Sequence, residues 1–189
     1  MNKIPVSISA RHIHLSEKDR IALFGETPLE KLRDLSQSGQ FATTATVTIS
    51  TDAGEIPNVR ILGPDRPETQ VEISKTDSFT LKLQPPVRLS GDLTNTSGIK
   101  ITAENGNSIA ILYGVIIAAR HLHCDPISAQ KLNFTDGQKI SARFHTSRGG
   151  ILEDIIVRVS PEATLDLHLD TDEANALDAT SNTLAEIIN

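Results

Sequence analysis

The sequence predicts a mainly β protein with a few short helices, built around an internal repeat. Three observations lead there. Runs of β-branched residues recur between Gly, Pro, Asn and Asp punctuation. Helix signals are few and short. Two stretches share one outline, "SARHIHL" at 9–15 and "AARHLHC" at 118–124, and they hold four of the chain's six histidines. Aromatics make up only 3% of residues and Trp is absent, so a core must be assembled from Val, Ile, Leu and Ala, which suits a sheet.

Taken in order, "VSISARHIHLSEKDRIALF" (6–24) reads as a strand, Arg-His-x-His, a helix cap and a short helix. Ser16 suits an N-cap with Asp19 three residues on, and Gly25 closes the helix. "TPLEKLRDL" (27–35), with Pro28 in the first turn, predicts a second helix. Strands follow at 42–51, 58–63 and 69–74, and a strand over 114–123 leads into the second His pair. "DPISAQKLNF" (125–134) opens with an Asp cap and Pro at the first helical position. Further strands are predicted at 138–144, 154–160 and 164–170. In the tail, Leu177, Leu184 and Ile188 stand at helical spacing, so a docked terminal helix is expected.

Length and charge narrow the function classes. A chain of 189 residues buries a core without disulfide or metal staples. Net charge is −6, and no Lys/Arg run could track a nucleic-acid backbone or an anionic membrane surface, which argues against both partners. The single Cys124 excludes an internal disulfide and fits a reducing compartment. "MNKIPVSISA" lacks a secretory apolar core, and the longest apolar run, at 109–119, is too short for a bilayer. The expectation is a cytoplasmic protein.

The repeat carries the chemistry. On a strand, residues i and i+2 share a face, so each His-x-His presents paired imidazoles about 6–7 Å apart at Cα. Each copy is followed downstream by an alternating strand ending in Thr-Asp: "TQVEISKTD" (69–77) and "TLDLHLDTD" (164–172). At the matched place one carries Glu72 and the other His168. His12, His14 and Glu72 therefore form one candidate metal set, and His121, His123 and His168 another. Three protein ligands with one open position is the pattern of a catalytic zinc. A single His-x-His arises readily by chance on a half-exposed strand; two in repeat register, each with a downstream partner, do not. His145 lacks such company and reads as a surface residue. Cys124 follows His123 directly, so it faces away from the ligand side and reads as a small buried hydrophobe.

Arginines mark a second feature. Arg11 and Arg120 precede the two pairs, and Arg60 and Arg88 fit solvated strand ends. Arg66 sits in "GPDRPETQVE", six residues before Glu72, where a fixed guanidinium could hold an oxyanion with two hydrogen bonds.

Taken together, "PVSISARHIHLS", "RILGPDRPETQVEIS", "PPVRLSGDL", "AARHLHCDP" and "LHLDTDEANA" resemble the PduL-type phosphate propanoyltransferases, the phosphotransacylases of bacterial microcompartments and their cytosolic relatives. The resemblance runs from about residue 5 to 176. It implies two interleaved β-barrels capped by short α-helices, one over 11–116, the other from 1–10 plus 117–189. It implies exchange of coenzyme A for inorganic phosphate on a short acyl group, with two Zn2+ per chain and CoA as substrate or product. His12, His14 and Glu72 would hold one zinc, and His121, His123 and His168 the other. Arg66 would bind phosphate, while Ser9, Ala10, Arg60 and Asn175 would contact CoA. Acyl-CoA and phosphate are the implied partners; a homodimer and association with microcompartment cargo are compatible with the resemblance. Few residues precede the first motif, so no microcompartment-targeting extension is expected.

Other classes fit less well. A cupin-type oxygenase needs a further Glu spaced beyond the His pair, but Glu17 follows His14 too closely and opens a helix. A dinuclear metallohydrolase of this kind would need a larger α/β barrel. A zinc-binding module with structural metals and no catalysis is the non-enzymatic alternative, and closed four-ligand coordination would mark it.

Overall fold

The computed structural model describes residues 3–188; Met1, Asn2 and Asn189, the outermost ends of the span expected for one barrel, lie outside the described residues. The elements are β1 (Lys3–Ser9), β2 (His12–Ser16), α1 (Glu17–Phe24), β3 (Lys31–Asp34), β4 (Phe41–Thr51), β5 (Gly54–Arg66), β6 (Gln70–Glu72), α2 (Lys75–Leu81) and β7 (Val87–Arg88). They continue with β8 (Ser97–Ala103), β9 (Ser108–Ala118), β10 (His121–Cys124), α3 (Pro126–Leu132), β11 (Lys139–Phe144), β12 (Gly150–Val159), β13 (Asp166–Asp170), α4 (Thr171–Leu177) and β14 (Leu184–Ile188). Over the described residues the protein is mainly β, with two closed six-stranded barrels and four short helices. No helix among the described residues is long and apolar enough to cross a membrane.

One compact unit comprises residues 11–35 and 39–118. Its ring runs β4, β5, β2, β6, β9, β8 and back to β4, with β3 added at β4 and β7 at β9. Alternate residues of these strands point inward, so Ile13, Leu15, Ile49, Val59, Ile61, Val71, Ile101 and Val115 fill the interior. Gly114 is required where β9 bends: its φ is +124°, and a Cβ there would lie 2.6 Å from the Thr69 carbonyl oxygen.

The other unit gathers residues 3–10, 36–38 and 119–188. Its ring runs β1, β13, β10, β12, β11, β14 and closes on β1. Ile4, Val6, Leu122, Cys124, Phe144, Val157, Leu167 and Ala185 form its core. Cys124 is wholly buried there, as its alternation with His123 requires.

Strand by strand the two rings match. In each, the His-x-His strand runs parallel to a long strand, β5 or β12, and antiparallel to a short one, β6 or β13. That short strand pairs in parallel with the strand that precedes a His-x-His in sequence, β9 or β1. The repeating unit thus starts at each Arg-His-x-His. The second copy obtains its last strand from the N-terminus, so β1 and β2, adjacent in sequence, serve different barrels. This is the interleaving that the family resemblance implied.

Local chemistry sets the helices. Ser16 accepts from the Asp19 N–H to start α1, and Asp125 accepts from the Ile127 and Ser128 N–H groups to start α3. Reciprocal capping boxes start the other two, Ser74 with Asp77 in α2 and Asp170 with Glu173 in α4. Two expectations are corrected. Residues 31–34, read as part of a helix, form β3: Leu29, Leu32 and Leu35 imitate helical spacing, but 31–34 are all exposed and gain more by pairing with β4. The tail is not a helix either, because 184–188 is the strand that closes one barrel between β1 and β11.

Candidate functional site

His12 and His14 project from β2, and antiparallel pairing sets Glu72 of β6 directly opposite His12. All three are buried, at 6%, 3% and 8% exposure. The two rings stand edge to face with centroids 4.9 Å apart, and His12 Nε2 lies 3.5 Å from the Glu72 carboxylate. One donor atom from each of the three residues lies within 4.8 Å of the others. His14 Nδ1 is buried without a hydrogen-bond partner among the described residues, which costs about 1–3 kcal/mol unless a ligand meets it. Burial, then the neighbouring His12 and Arg66, hold His14 well below the ordinary imidazole range. Burial alone would raise Glu72, but His12, His14 and Arg66 hold it well below the usual carboxylate range. A neutral imidazole at His14 and an ionised carboxylate at Glu72 are the protonation states a divalent metal needs.

The second set repeats this register. His121 and His123 project from β10, and His168 of β13 stands opposite His121, the place that Glu72 takes opposite His12. The three rings pack with centroids 4.7–5.2 Å apart, and donor atoms again fall within 4.8 Å. The Ala119 carbonyl, 2.8 Å from His121 Nδ1, can only accept, so that nitrogen carries the proton. In the neutral ring Nε2 then offers its lone pair, 3.1 Å from Nε2 of His123. Burial, then His121, His168 and Arg158, push His123 down to about 3, so it too is neutral near pH 7. Asp166, buried opposite His123, accepts from His168 Nε2 at 3.0 Å. Burial opposes its charge, but His168, Ser36 and Ser7 hold its pKa below the ordinary value.

Arg66 ends β5 opposite Ser16 in the strand register, beside the first set. Its Nη1 donates to Ser90 Oγ at 2.8 Å, and Ser90 also accepts from the Gln70 amide at 2.8 Å. The same Gln70 nitrogen donates to Glu72 at 2.6 Å, and Gln70 Oε1 accepts from the Gly91 N–H at 2.8 Å. A metal-competent carboxylate and a guanidinium are thus joined through one amide and one hydroxyl. Gln70 and Asp166 carry a sequence signal of their own, since each stands two residues before a candidate ligand on the same strand face. Ser90 gave none, because only the fold of "RLSGDL" brings it there.

The remaining residues are distributed as follows. Arg60 of β5 pairs in register with His12, and its Nη1 donates to the Thr43 and Thr44 carbonyls. Ser9 ends β1 opposite Asp170, half-buried, with Ala10 exposed just beyond it. Asn175 is exposed on α4, and its carbonyl accepts from Asp178 N–H and Arg148 Nη1. Ser9, Ala10 and Asn175 belong to the barrel of the second set, Arg60 to that of the first. His145 is exposed and pairs with Glu186.

With this geometry in place, comparison with known proteins is decisive. A family model described as phosphate propanoyltransferase matches residues 5–180, a span that includes both His-x-His pairs, Arg66, Glu72, His168 and Asn175. The chain belongs to the phosphate propanoyltransferase family. It is 45% identical to the phosphate propanoyltransferase of Citrobacter rodentium over 93% of this chain and 84% of that one. Its likeness to the Clostridioides difficile phosphate propanoyltransferase is also 45%, over 98% and 88% of the two chains. Against the Thermotoga maritima phosphate propanoyltransferase it is 45% over 98% and 89%. Membership in the phosphate propanoyltransferase family makes the chain an enzyme, an acyltransferase.

Proposed function

We propose that the chain exchanges CoA for inorganic phosphate on a short acyl group: propanoyl-CoA or acetyl-CoA plus phosphate gives the acyl phosphate plus CoA. One observation carries the reading. The family match spans a chain in which two buried three-donor sets recur in one register and an arginine is held beside the first.

Both sets fit zinc. Three nitrogen or carboxylate oxygen donors converge in each, and in the first the buried His14 Nδ1 would gain a partner when an ion is present. His12, His14 and Glu72 would hold one ion, and His121, His123 and His168 the other. When bound, zinc with three protein ligands supplies Lewis acidity to a carbonyl, thiolate or phosphate oxygen.

The chain's own residues supply the rest. Phosphate is a hydrated, weak nucleophile, so holding and orienting it is a large part of the task. Arg66, its guanidinium anchored through Ser90, would hold and orient a phosphate oxygen by a charge-assisted hydrogen bond. A phosphate oxygen then bonds to the acyl carbon while the carbon–sulfur bond breaks, and CoA leaves as thiolate. Arg60, Ser9, Ala10 and Asn175 contact CoA in this reading.

No acyl-enzyme is proposed. Cys124 is sealed in a barrel core. Ser36 approaches His168 at 3.4 Å, but it meets the same Nε2 that Asp166 occupies, whereas a nucleophilic triad uses the two different ring nitrogens.

The test is CoA release from propanoyl-CoA and acetyl-CoA, followed with a thiol reagent. Release should require phosphate and cease with a chelator. Release indifferent to phosphate would contradict the proposal, and a labelled acyl group retained on the chain without phosphate would overturn direct attack.

A further inference from the structure

Gln70 and Asp166 occupy one position of the repeat. Each is paired across an antiparallel ladder with the second histidine of its His-x-His, Gln70 with His14 and Asp166 with His123. Each stands two residues before the downstream donor, so it shares that donor's strand face. Each is almost wholly buried, at 2% and 3% exposure. Each also makes a hydrogen bond to that donor, Gln70 Nε2 to Glu72 at 2.6 Å and His168 Nε2 to Asp166 Oδ2 at 3.0 Å.

The polarity of the bond changes with the donor. Glu72 is a carboxylate that only accepts, and its neighbour is an amide whose NH2 can donate. His168 is an imidazole that donates through its protonated nitrogen, and its neighbour is a carboxylate that accepts. A carboxylate at 70 would repel Glu72, and an amide at 166 would place a weaker acceptor against His168. The two sets therefore differ at two linked positions, Gln with Glu and Asp with His, while the paired histidines stay constant.

We propose that Gln70 and Asp166 are matched positioning residues, each fixing the orientation of the third donor of its own set. The proposal rests on the reading of both sets as metal sites. For His168 it has a specific consequence: with Nε2–H committed to Asp166, Nδ1 of the neutral ring is the nitrogen presented to an ion. For Glu72, Gln70 engages Oε1, while Oε2 is the oxygen nearest His12. Gln70 is itself pinned by the Gly91 N–H and by Ser90, so the carboxylate cannot turn without breaking that chain of bonds. Outer groups of this kind change metal affinity by about 10–100-fold when removed.

The test is zinc affinity at each site, measured by chelator competition on the full chain in its wild-type, Gln70→Met, Asp166→Leu and Asp166→Asn forms, with thermal melts in chelator as a fold control. Gln70→Met should weaken one of two zinc sites by about 10–100-fold and leave the other unchanged. Asp166→Leu should weaken the other site alone, and Asp166→Asn, which keeps a neutral acceptor, should fall between it and wild type. Two zincs on the wild-type chain with unchanged affinities in Gln70→Met and Asp166→Leu would overturn this inference while leaving the metal reading intact. Equal weakening of both sites by one variant would also overturn it, as the mark of a general structural effect. A wild-type chain that takes up no zinc would overturn the metal reading and this inference with it.

Discussion

The Arg11 guanidinium grips the Asp77 carboxylate, with Nε 3.0 Å from both oxygens and Nη2 2.8 Å from Oδ1. Asp77 is also the acid of the α2 capping box, so this ion pair ties the start of the first His-x-His to the helix that follows Glu72. The repeat does the same with other residues: Arg120 Nε donates to Glu173, the capping-box acid of α4, at 2.7 Å. The arginine before each pair is thus a fastener of the fold. Arg11→Ala should destabilise the chain by about 1–2 kcal/mol, since a charged hydrogen bond is lost but the arginine is partly solvated. Urea unfolding measures it, and an unchanged midpoint would contradict the role.

Arg66 has a different duty. Arg66→Ala should raise the KM for phosphate by about 10–100-fold, the worth of a charge-assisted paired contact. Zinc content should stay at the wild-type level. Initial rates against phosphate concentration, with metal analysis on the same sample, check both. A phosphate dependence like that of wild type would remove Arg66 from the site.

Acid should loosen the metal-free chain. Burial, then His121, His168 and Arg158, hold His123 at about 3 against 6.5 for a free imidazole. Between those values the unfolded chain binds a proton that the native chain does not. Stability therefore rises with pH through this window and falls as pH drops from 6.5 toward 3, by at most about 1.4 kcal/mol per pH unit from this group. Unfolding midpoints in chelator at several pH values should show a shallower slope for His123→Asn than for wild type. Equal slopes would contradict the assignment.

Much of the candidate site was legible because strand periodicity is local. His12 with His14, and His121 with His123, need only the two-residue alternation of a strand, and the repeat alone aligned Glu72 with His168. The helix starts at Ser16 and Asp125 were equally local. Barrel closure was not, since Ile4 pairs with Ala185 and no nearby residue announces it. The same long-range pairing turned the Leu184–Ile188 segment into a strand against its helical spacing. Capping boxes at Ser74–Asp77 and Asp170–Glu173 hid in Thr-Asp segments that read as strand ends. Ser90 was beyond reach for another reason: its partners Arg66 and Gln70 lie in other elements, and a lone Ser in a turn has no distinguishing pattern.

Acyl preference should be shallow. Acetyl and propanoyl groups differ by one methylene, worth about 1–3 kcal/mol even in a close-fitting pocket. The ratio of kcat/KM for propanoyl-CoA over acetyl-CoA should therefore stay within about 10–200-fold, as competition between the two substrates would measure.

The central claim is that each copy of the repeat builds its own metal site. Metal analysis of the purified chain tests it most directly, on wild type, on His12→Ala with Glu72→Ala, and on His121→Ala with His168→Ala. The account predicts two zincs per chain for wild type and one for each double variant, with the fold retained and phosphate-dependent CoA release lost. One zinc or none on wild type, or two on either double variant, would contradict it.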